Sequence, residues 1–216
     1  MKPLLIATTN DGKLSEIREI LRGIALPIRS LNDFPPVLEP DETGSTFSAN
    51  ALLKARAYSR ATDMVTVAED SGLVVDALGG APGVHSARYP GATYGEKFAN
   101  LYAALATHAR PWTARYVCAI AVVDGRPVRR SSAGAEAETE TLRVLFETVA
   151  ACEGEIWPEP RGTNGFGYDP IFYYPPYGMT FGEMDDPCKL AVAHRGIAFT
   201  ELRRWLEQGE YQAATR

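Results

Sequence analysis

The apolar and polar positions of the chain form short apolar runs that alternate with stretches of helical period. The first run, Pro3 to Thr9, predicts a strand, and the apolar positions within Asp11 to Arg22 recur on one helical face. A second short strand is predicted at Leu26 to Ser30. Helical period returns from Phe47, and the core-facing stripe of this helix is expected to comprise Phe47, Ala51, Ala55 and Tyr58.

The second half of the chain repeats this alternation. Phe98 to Leu105 has helical spacing, and Ala114 to Val123 and Leu142 to Ala150 have the pattern of strands. Between those strands, Ser131 to Thr141 is small and acidic without an apolar period, which predicts a mobile insertion. A last amphipathic helix contains Phe199 and Trp205 among its apolar positions. The periodicity predicts an α/β protein.

A pair of acids interrupts the apolar pattern in the first half of the chain. The run that begins near Val67 reaches Glu69 and Asp70, followed by Ser71 and Gly72. This pattern predicts a buried strand that ends at the acids and presents their carboxylates at a sheet edge, where Mg²⁺ or a water nucleophile could be held. An ordinary polar turn after a strand explains the same residues.

Composition and charge narrow the class of protein. The 216 residues are 45% hydrophobic and 23% charged, which fits one compact globular unit. No apolar run is long enough to span a bilayer, and the N-terminus lacks the pattern of a signal peptide. The net charge of −5 argues against nucleic-acid binding, and three dispersed cysteines suggest neither a zinc site nor disulfides. We therefore expect a cytoplasmic protein that binds neither nucleic acid nor membrane.

A polar loop between the first strand and helix has the features of an anion site. It combines hydroxyls, an amide, a glycine and a lysine where exposed backbone N–H groups begin a helix. Simple N-capping by the amide or the first acid is the alternative. The loop consists of Thr8, Thr9, Asn10, Asp11, Gly12 and Lys13.

Three later stretches add candidate binding residues. Asn50 and Lys54 stand four residues apart and are expected to point together at one ligand, unless they form a solvated helix face. The glycine-rich stretch 162–172 carries Phe166 and Tyr168, which either stack on a base or plug the core. At the start of the last helix, two cations oppose the helix dipole, which favours an electron-rich ligand there. These cations are His194 and Arg195.

Taken together, these motifs resemble the inosine/xanthosine triphosphate pyrophosphatase family, which removes non-canonical purine nucleotides. The matching stretches, including 42–54 and 189–195, occur in the family's order over nearly the whole chain. The resemblance implies a single domain over residues 1–216, with a long, curved mixed sheet flanked by helices. It also implies two lobes with a nucleotide cleft between them, a homodimer, and Mg²⁺ as the cofactor with Mn²⁺ as an alternative ion.

The resemblance also assigns roles to individual residues. Asp70 matches the catalytic aspartate, which holds the metal or accepts a proton from water, and Glu42 matches a second metal-binding acid. Glu69 occupies a flanking position that could support the metal through water. The phosphate-binding residues map to Thr8 through Lys13 and to Lys54, and Ser71 maps to a substrate contact. The base pocket maps to Phe166, Gly167, Tyr168, Asp169, Lys189, His194 and Arg195.

The implied reaction is hydrolysis of ITP, dITP and XTP to the monophosphate and pyrophosphate, with Mg²⁺ between the carboxylates and the phosphates. Arg195 or His194 donating to a 6-oxo group would explain a preference for hypoxanthine and xanthine. A Maf-like pyrophosphatase of modified pyrimidine or 7-methylated nucleotides is the closest alternative. A non-catalytic nucleotide sensor is another.

The chain departs from the family pattern at two places. Ala193 stands where the family commonly has Ser, and loss of a helix cap there is expected to cost about 1 kcal/mol. The segment from Ser131 to Thr141 is longer than the family's usual hairpin. The first departure bears on the rigidity of the base-reading end, and the second on dimerisation or access to the cleft.

Overall fold

The computed structural model describes residues 2–125 and 142–215. Their strands form one mixed sheet in the order β2-β1-β3-β4-β5-β6-β7. β1 pairs in parallel with β2 and β3, and all later neighbours pair antiparallel. The strands are β1 (Leu4–Ile6), β2 (Ile28–Ser30), β3 (Val65–Val75), β4 (Thr113–Asp124), β5 (Arg143–Ile156), β6 (Phe172–Tyr174) and β7 (Met179–Thr180). The predicted α/β class with a mixed sheet is confirmed.

The helices flank this sheet and occur where the helical period predicted them, with an additional short helix before the last predicted one and another after it. Their bounds are α1 (Asp11–Ile20), α2 (Phe47–Thr62), α3 (Tyr94–Leu105), α4 (Asp186–Val192), α5 (His194–Glu207) and α6 (Glu210–Ala214). A 3₁₀ helix, Gly83–Arg88, contacts β3. Within the described ranges, no helix is long and apolar enough to cross a membrane.

The predicted end of a strand at the acids is wrong, because β3 continues through Glu69 and Asp70 to Val75. The antiparallel partner β4 pairs along its whole length, with Ser71 opposite Cys118. On the other side β1 ends at Ile6, opposite Val67, so β3 loses this neighbour just before the acids. The carboxylates therefore lie within a strand but beside an opening in the sheet.

Several boundaries also differ from the sequence predictions. β1 is shorter than predicted at both ends, and β2 is shorter at its N-terminal end, because the flanking residues belong to loops. β5 extends to Ile156 rather than ending at Ala150, since it pairs with β4 over that length. The predicted insertion at Ser131 to Thr141 lies outside the described residues.

Small side chains bring α2 close to β3 and β4. Ala51 and Ala55 are fully buried against Ala119 and Ala121, and Tyr58 is buried with them, as the helical stripe predicted. Asn50 and Lys54 are buried as well, so the alternative of a solvated helix face is wrong. The alanines allow these two polar side chains to reach the strand.

Candidate active site

A cleft joins residues from distant parts of the chain at the opening beside β3. Three residues predicted from sequence to form the site, Asp11, Gly12 and Asp70, do not line this cleft. Asp70 nevertheless contacts Lys54, which lines the cleft together with Glu42. The predicted residues on its wall are Thr8, Thr9, Asn10, Lys13, Glu42, Lys54, Ser71, Phe166, Gly167, Tyr168, Asp169, Lys189, His194 and Arg195.

Asp70 faces α2 and is held by two donors from that helix. Asn50 Nδ2 donates to Oδ2 at 3.1 Å, and Lys54 Nζ donates to Oδ1 at 3.1 Å. Burial raises the pKa of Asp70 above its ordinary value, and the charge of Lys54 offsets only part of this effect. A carboxylate with a raised pKa is better suited to accept a proton near neutral pH.

Glu42 lies on the other side of Lys54. Its Oε1 accepts from Lys54 Nζ at 2.6 Å, and its Oε2 pairs with Arg88 of the 3₁₀ helix. Burial alone would raise the pKa of Glu42, but Lys54 and Arg88 hold it below the ordinary value. Glu42 is therefore ionised at neutral pH.

The two acids Glu42 and Asp70 are suitable oxygen donors for Mg²⁺. Both contact the same Lys54 ammonium, so their carboxylates face a common point. In residues 2–125 and 142–215, no group of three or more His, Cys, Asp or Glu side chains is arranged to bind a metal ion. Mg²⁺ is commonly held by one or two carboxylates together with substrate phosphates, so the pair fits this mode of binding.

Glu69 points to the opposite face of β3, as expected for the neighbour of Asp70 in a strand. Its carboxylate pairs with Arg195 at 3.1 Å and with Lys13 at 3.0 Å, and it accepts from Cys118 Sγ at 3.0 Å. Burial would raise the pKa of Glu69, but Arg195 and Lys13 hold it well below its usual range. These contacts do not favour the predicted role of Glu69 in supporting the metal. Its carboxylate pairs with Lys13 and Arg195 on the face of β3 opposite Asp70.

Arg195 is the centre of this second cluster. Nε and Nη2 donate to Glu69, Nη2 also donates to Ser71 Oγ at 3.0 Å, and Nη1 donates to Glu16 at 2.6 Å. A guanidinium has five N–H groups. These bonds leave one N–H on Nη1 without a partner in the described parts of the chain, so it is free to donate to a ligand.

Asp169 sits in the glycine-rich loop and is almost completely buried. Its Oδ2 accepts from Lys189 Nζ at 2.7 Å and from the Phe166 backbone N–H at 2.8 Å. Gly165 permits this arrangement, because its φ is +73° and a Cβ there would lie 2.1 Å from Asp169 Oδ2. Burial raises the pKa of Asp169 despite the charge of Lys189.

The two aromatic residues of this loop have different environments. Phe166 is partly exposed, with the Lys189 ammonium 4.8 Å and the Arg195 guanidinium 5.6 Å from its ring centre. Tyr168 is only 3% exposed, packs in the core, and donates its hydroxyl to the Ser86 carbonyl at 2.8 Å. The sequence allowed these rings either to stack on a base or to pack in the core. The partial exposure of Phe166 suits stacking, whereas Tyr168 packs in the core.

His194 begins α5 and is 5% exposed. Burial and the charge of Arg195 lower its pKa well below its ordinary value, so the imidazole is neutral. Its Nδ1 is buried with no hydrogen-bond partner among the described residues. A neutral imidazole that lines the cleft can donate or accept one hydrogen bond, as the ligand requires.

The polar loop before α1 caps the helix, as one of the two interpretations predicted, and it also lines the cleft. Asn10 is the N-cap, and its side chain accepts from the Lys13 backbone N–H at 3.0 Å. Thr8 and Thr9 line the cleft with Asn10 and Lys13. A helix N-terminus with exposed donors favours anions, so this end of the cleft suits phosphate.

Sequence reasoning missed four groups that hold these residues in place. Glu16 binds Lys189 and Arg195, Arg88 binds Glu42, and β4 contributes Tyr116 and Cys118 beneath Asp169 and Glu69. Glu16 follows Lys13 by three residues, which places both on one helix face. The other three had no local signal, because their partners are distant in sequence.

The chain also matches a known protein family over most of its length. A family model described as the Ham1 family matches residues 4–205. The chain belongs to the Ham1 family. The resemblance predicted from the motifs is thereby confirmed, because curated relatives of this Ham1 chain are named dITP/XTP pyrophosphatase.

Two such relatives cover nearly the whole of the Ham1 chain. The one from Gloeobacter violaceus is 44% identical over 211 residues, with 98% of this chain and 97% of the relative covered. The one from Geobacillus kaustophilus is 43% identical over 212 residues and covers 96% of both chains.

Solved structures of Ham1 proteins share this fold. The HAM1 protein from Coxiella burnetii is 37% identical with a TM-score of 0.83, and the match covers 96% of this chain and all of that chain. The Staphylococcus aureus Ham1 protein is 32% identical with a TM-score of 0.77, with 96% and 99% covered.

Proposed function

We propose that this Ham1 chain hydrolyses the non-canonical purine nucleotides ITP, dITP and XTP to the monophosphate and pyrophosphate. The observation that carries the proposal is the division of the cleft into two ends. One end has lysines and acids beside a helix N-terminus, and the other has an aromatic ring with buried polar groups. A nucleoside triphosphate has the same division between phosphates and base.

At the phosphate end, Lys13 and Lys54 would neutralise the triphosphate, and the loop before α1 would donate backbone N–H groups to it. Lys54 covers Asp70 in the structure, so once Lys54 moves toward the phosphates Asp70 would accept a proton from the water that breaks the phosphoanhydride bond between the α- and β-phosphates. Glu42 and Asp70 would hold Mg²⁺, which supplies charge neutralisation on the phosphate oxygens when bound. Lys54 lies between these acids and would move toward the phosphates.

At the base end, Phe166 would stack on the purine, and the groups around it would read its edge. A 6-oxopurine presents an acceptor at O6 and a donor at N1, whereas adenine presents a donor at its amino group. The free N–H of Arg195 and the neutral His194 suit O6, and Asp169 is an acceptor. This arrangement supports a preference for hypoxanthine and xanthine over adenine.

The test is an assay of pyrophosphate release with the purified full-length chain. The nucleotides are ITP, dITP, XTP, GTP, ATP, dTTP and 7-methyl-GTP, each with Mg²⁺, with Mn²⁺ and with a chelator. We expect turnover of the first three to exceed that of ATP by at least about 100-fold, the scale set by a site with unpaired buried polar groups. Turnover should be lost with the chelator.

Two results would replace this proposal. Preferred release from dTTP or 7-methyl-GTP would favour the Maf-like alternative. Tight binding of ITP without any pyrophosphate release would favour a sensor. A cytoplasmic homodimer remains part of the proposal, and light scattering of the same preparation measures its assembly state.

A further inference from the structure

Tyr116 lies on β4 at the base end of the cleft, where no sequence motif selected it. It stands opposite Leu73 of β3, on the face that also carries Cys118. Its ring packs against Phe172 and Phe181, with ring centres 4.6 and 5.9 Å away, and the residue is only 6% exposed. The side chain is therefore fixed by the core while it lines the cleft.

The hydroxyl of Tyr116 supplies a third hydrogen bond to the carboxylate of Asp169. Asp169 Oδ2 already accepts from Lys189 and from the Phe166 backbone N–H. The only donor to Oδ1 among the described residues is Tyr116 Oη, at 3.2 Å. Without this bond, the described residues would hold the carboxylate through Oδ2 alone.

The ring of Tyr116 likewise defines the plane of the His194 imidazole. The two rings are parallel within 10°, with centres 4.6 Å apart. His194 Nδ1 has no hydrogen-bond partner in the part of the chain that the structure describes, so no such bond at this atom orients the ring. One side chain thus orients two buried polar groups that reach the cleft from different elements.

We propose that Tyr116 is a positioning residue that sets the selectivity for 6-oxopurine over 6-aminopurine nucleotides. This inference rests on the proposed function. A fixed Asp169 Oδ1 and a fixed imidazole match the donor at N1 and the acceptor at O6. A carboxylate held only through Oδ2 has more freedom to tilt and to accept from the amino group of adenine, so loss of the Tyr116 hydroxyl should weaken discrimination.

The direct test is Tyr116→Phe, which removes the hydroxyl and retains the ring. We expect KM for ITP to rise about tenfold, the scale of one hydrogen bond to a charged group, with kcat within about twofold. The ratio of kcat/KM for ITP to that for ATP should fall by about tenfold or more. Inhibition by inorganic tripolyphosphate, which has no base, should not change.

Two further variants separate positioning from stability. Tyr116→Leu also removes the ring beneath His194 and should lower the ITP to ATP ratio further than Tyr116→Phe. The matched control is Tyr102→Phe, because the Tyr102 hydroxyl donates to the Trp157 carbonyl at 2.9 Å and Tyr102 does not line the cleft. This control should retain the wild-type ratio.

Each outcome decides the proposal. An unchanged ITP to ATP ratio in Tyr116→Phe overturns the role of Tyr116, and so does an equal loss of affinity for ITP, ATP and tripolyphosphate. A wild-type protein with no preference for ITP over ATP overturns the proposed function, and this inference with it. The two failures are distinguishable, because only the second is visible without any variant.

Discussion

Asp70 is kept as a carboxylate at a cost to the folded protein. Burial raises its pKa, which means that folding disfavours the ionised form relative to the unfolded chain. Asn50 and Lys54 offset only part of this cost. Groups whose ionisation opposes folding are common where chemistry requires them.

The amide variant of this residue should separate activity from stability. We expect Asp70→Asn to lose about 10²-fold or more in turnover of ITP, because an amide cannot accept the proton. Its melting temperature should stay close to that of the wild type, since the charge whose burial opposes folding is gone and Lys54 keeps its pair with Glu42. Pyrophosphate release and calorimetry provide the two measurements.

Asp63→Asn is the matched control for Asp70→Asn. Asp63 caps the C-terminal end of α2 in the left-handed conformation, with a φ of 53°, which Asn also adopts readily. This control should keep wild-type turnover. Near-normal turnover in Asp70→Asn itself would remove Asp70 from the proposed role.

Single residues could be predicted from sequence where the motif itself carries the chemistry. Lys54 and Asp70 stand in such motifs, and the structure brings them to 3.1 Å. Tyr116 and Cys118 could not be predicted, since their partners Asp169 and Glu69 come from other strands and loops. The sequence of an apolar strand does not show whether its tyrosine and cysteine only pack in the core or also donate hydrogen bonds.

The junction of α4 and α5 determines where His194 and Arg195 lie. The two helices approach so closely that a Cβ on Gly196 would lie 1.7 Å from the Leu190 carbonyl oxygen. Ala193 is the N-cap of α5 and provides no side-chain acceptor. Its ψ of 150° is in the extended region that a capping side chain requires.

A serine at this junction should therefore stabilise the protein. We expect Ala193→Ser to add about 1 kcal/mol to the free energy of unfolding, which corresponds to a rise of about 2–4 °C in melting temperature for a chain of this size. Thermal unfolding followed by circular dichroism measures the change.

The same substitution at an exposed site inside a helix serves as the control. Ala103→Ser in α3 should give no gain, because Ser is a poorer helix former than Ala and has no free N–H to cap there. If Ala193→Ser melts no higher than the wild type, the interpretation of the junction as an uncapped helix start is wrong.

Helices could be predicted more accurately than the central strand. The buried residues of α1 and α2 recur at helical spacing within a short segment, so the apolar stripe alone identifies each helix. In β3 the strand continues through Glu69 and Asp70, because a cation pairs with each of them. Arg195 of α5 pairs with Glu69 on one face, and Lys54 of α2 pairs with Asp70 on the other. The sequence identifies these two cations but not their pairing with the acids, so the acids resemble a turn.

The stability of the whole molecule should depend on His194 at mildly acidic pH. Its pKa in the folded state lies well below the ordinary value of 6.5, so below pH 6.5 the unfolded chain binds a proton that the folded chain does not. Stability therefore falls as pH decreases from 6.5. One such group costs about 1.4 kcal/mol at pH 5.5.

Denaturant unfolding of wild type and His194→Phe at pH 7.5, 6.5 and 5.5 tests this expectation. The variant should lose less stability between pH 7.5 and 5.5 than the wild type, by about 1.4 kcal/mol. His108→Gln, at an exposed histidine, should keep the wild-type dependence. Identical pH dependence in wild type and His194→Phe would contradict a neutral buried imidazole.

The alternation of Glu69 and Asp70 along β3 has a consequence for how new specificities can arise in this family. The cluster centred on Arg195 depends on Glu69, and the proposed reaction depends on Asp70. Glu69 and Asp70 are adjacent in sequence. Insertion or deletion of a residue before them would exchange the faces of both carboxylates and disable both clusters together. Diversification of base preference is therefore expected in the loop 162–169 and the α4–α5 junction, while the length of β3 stays constant.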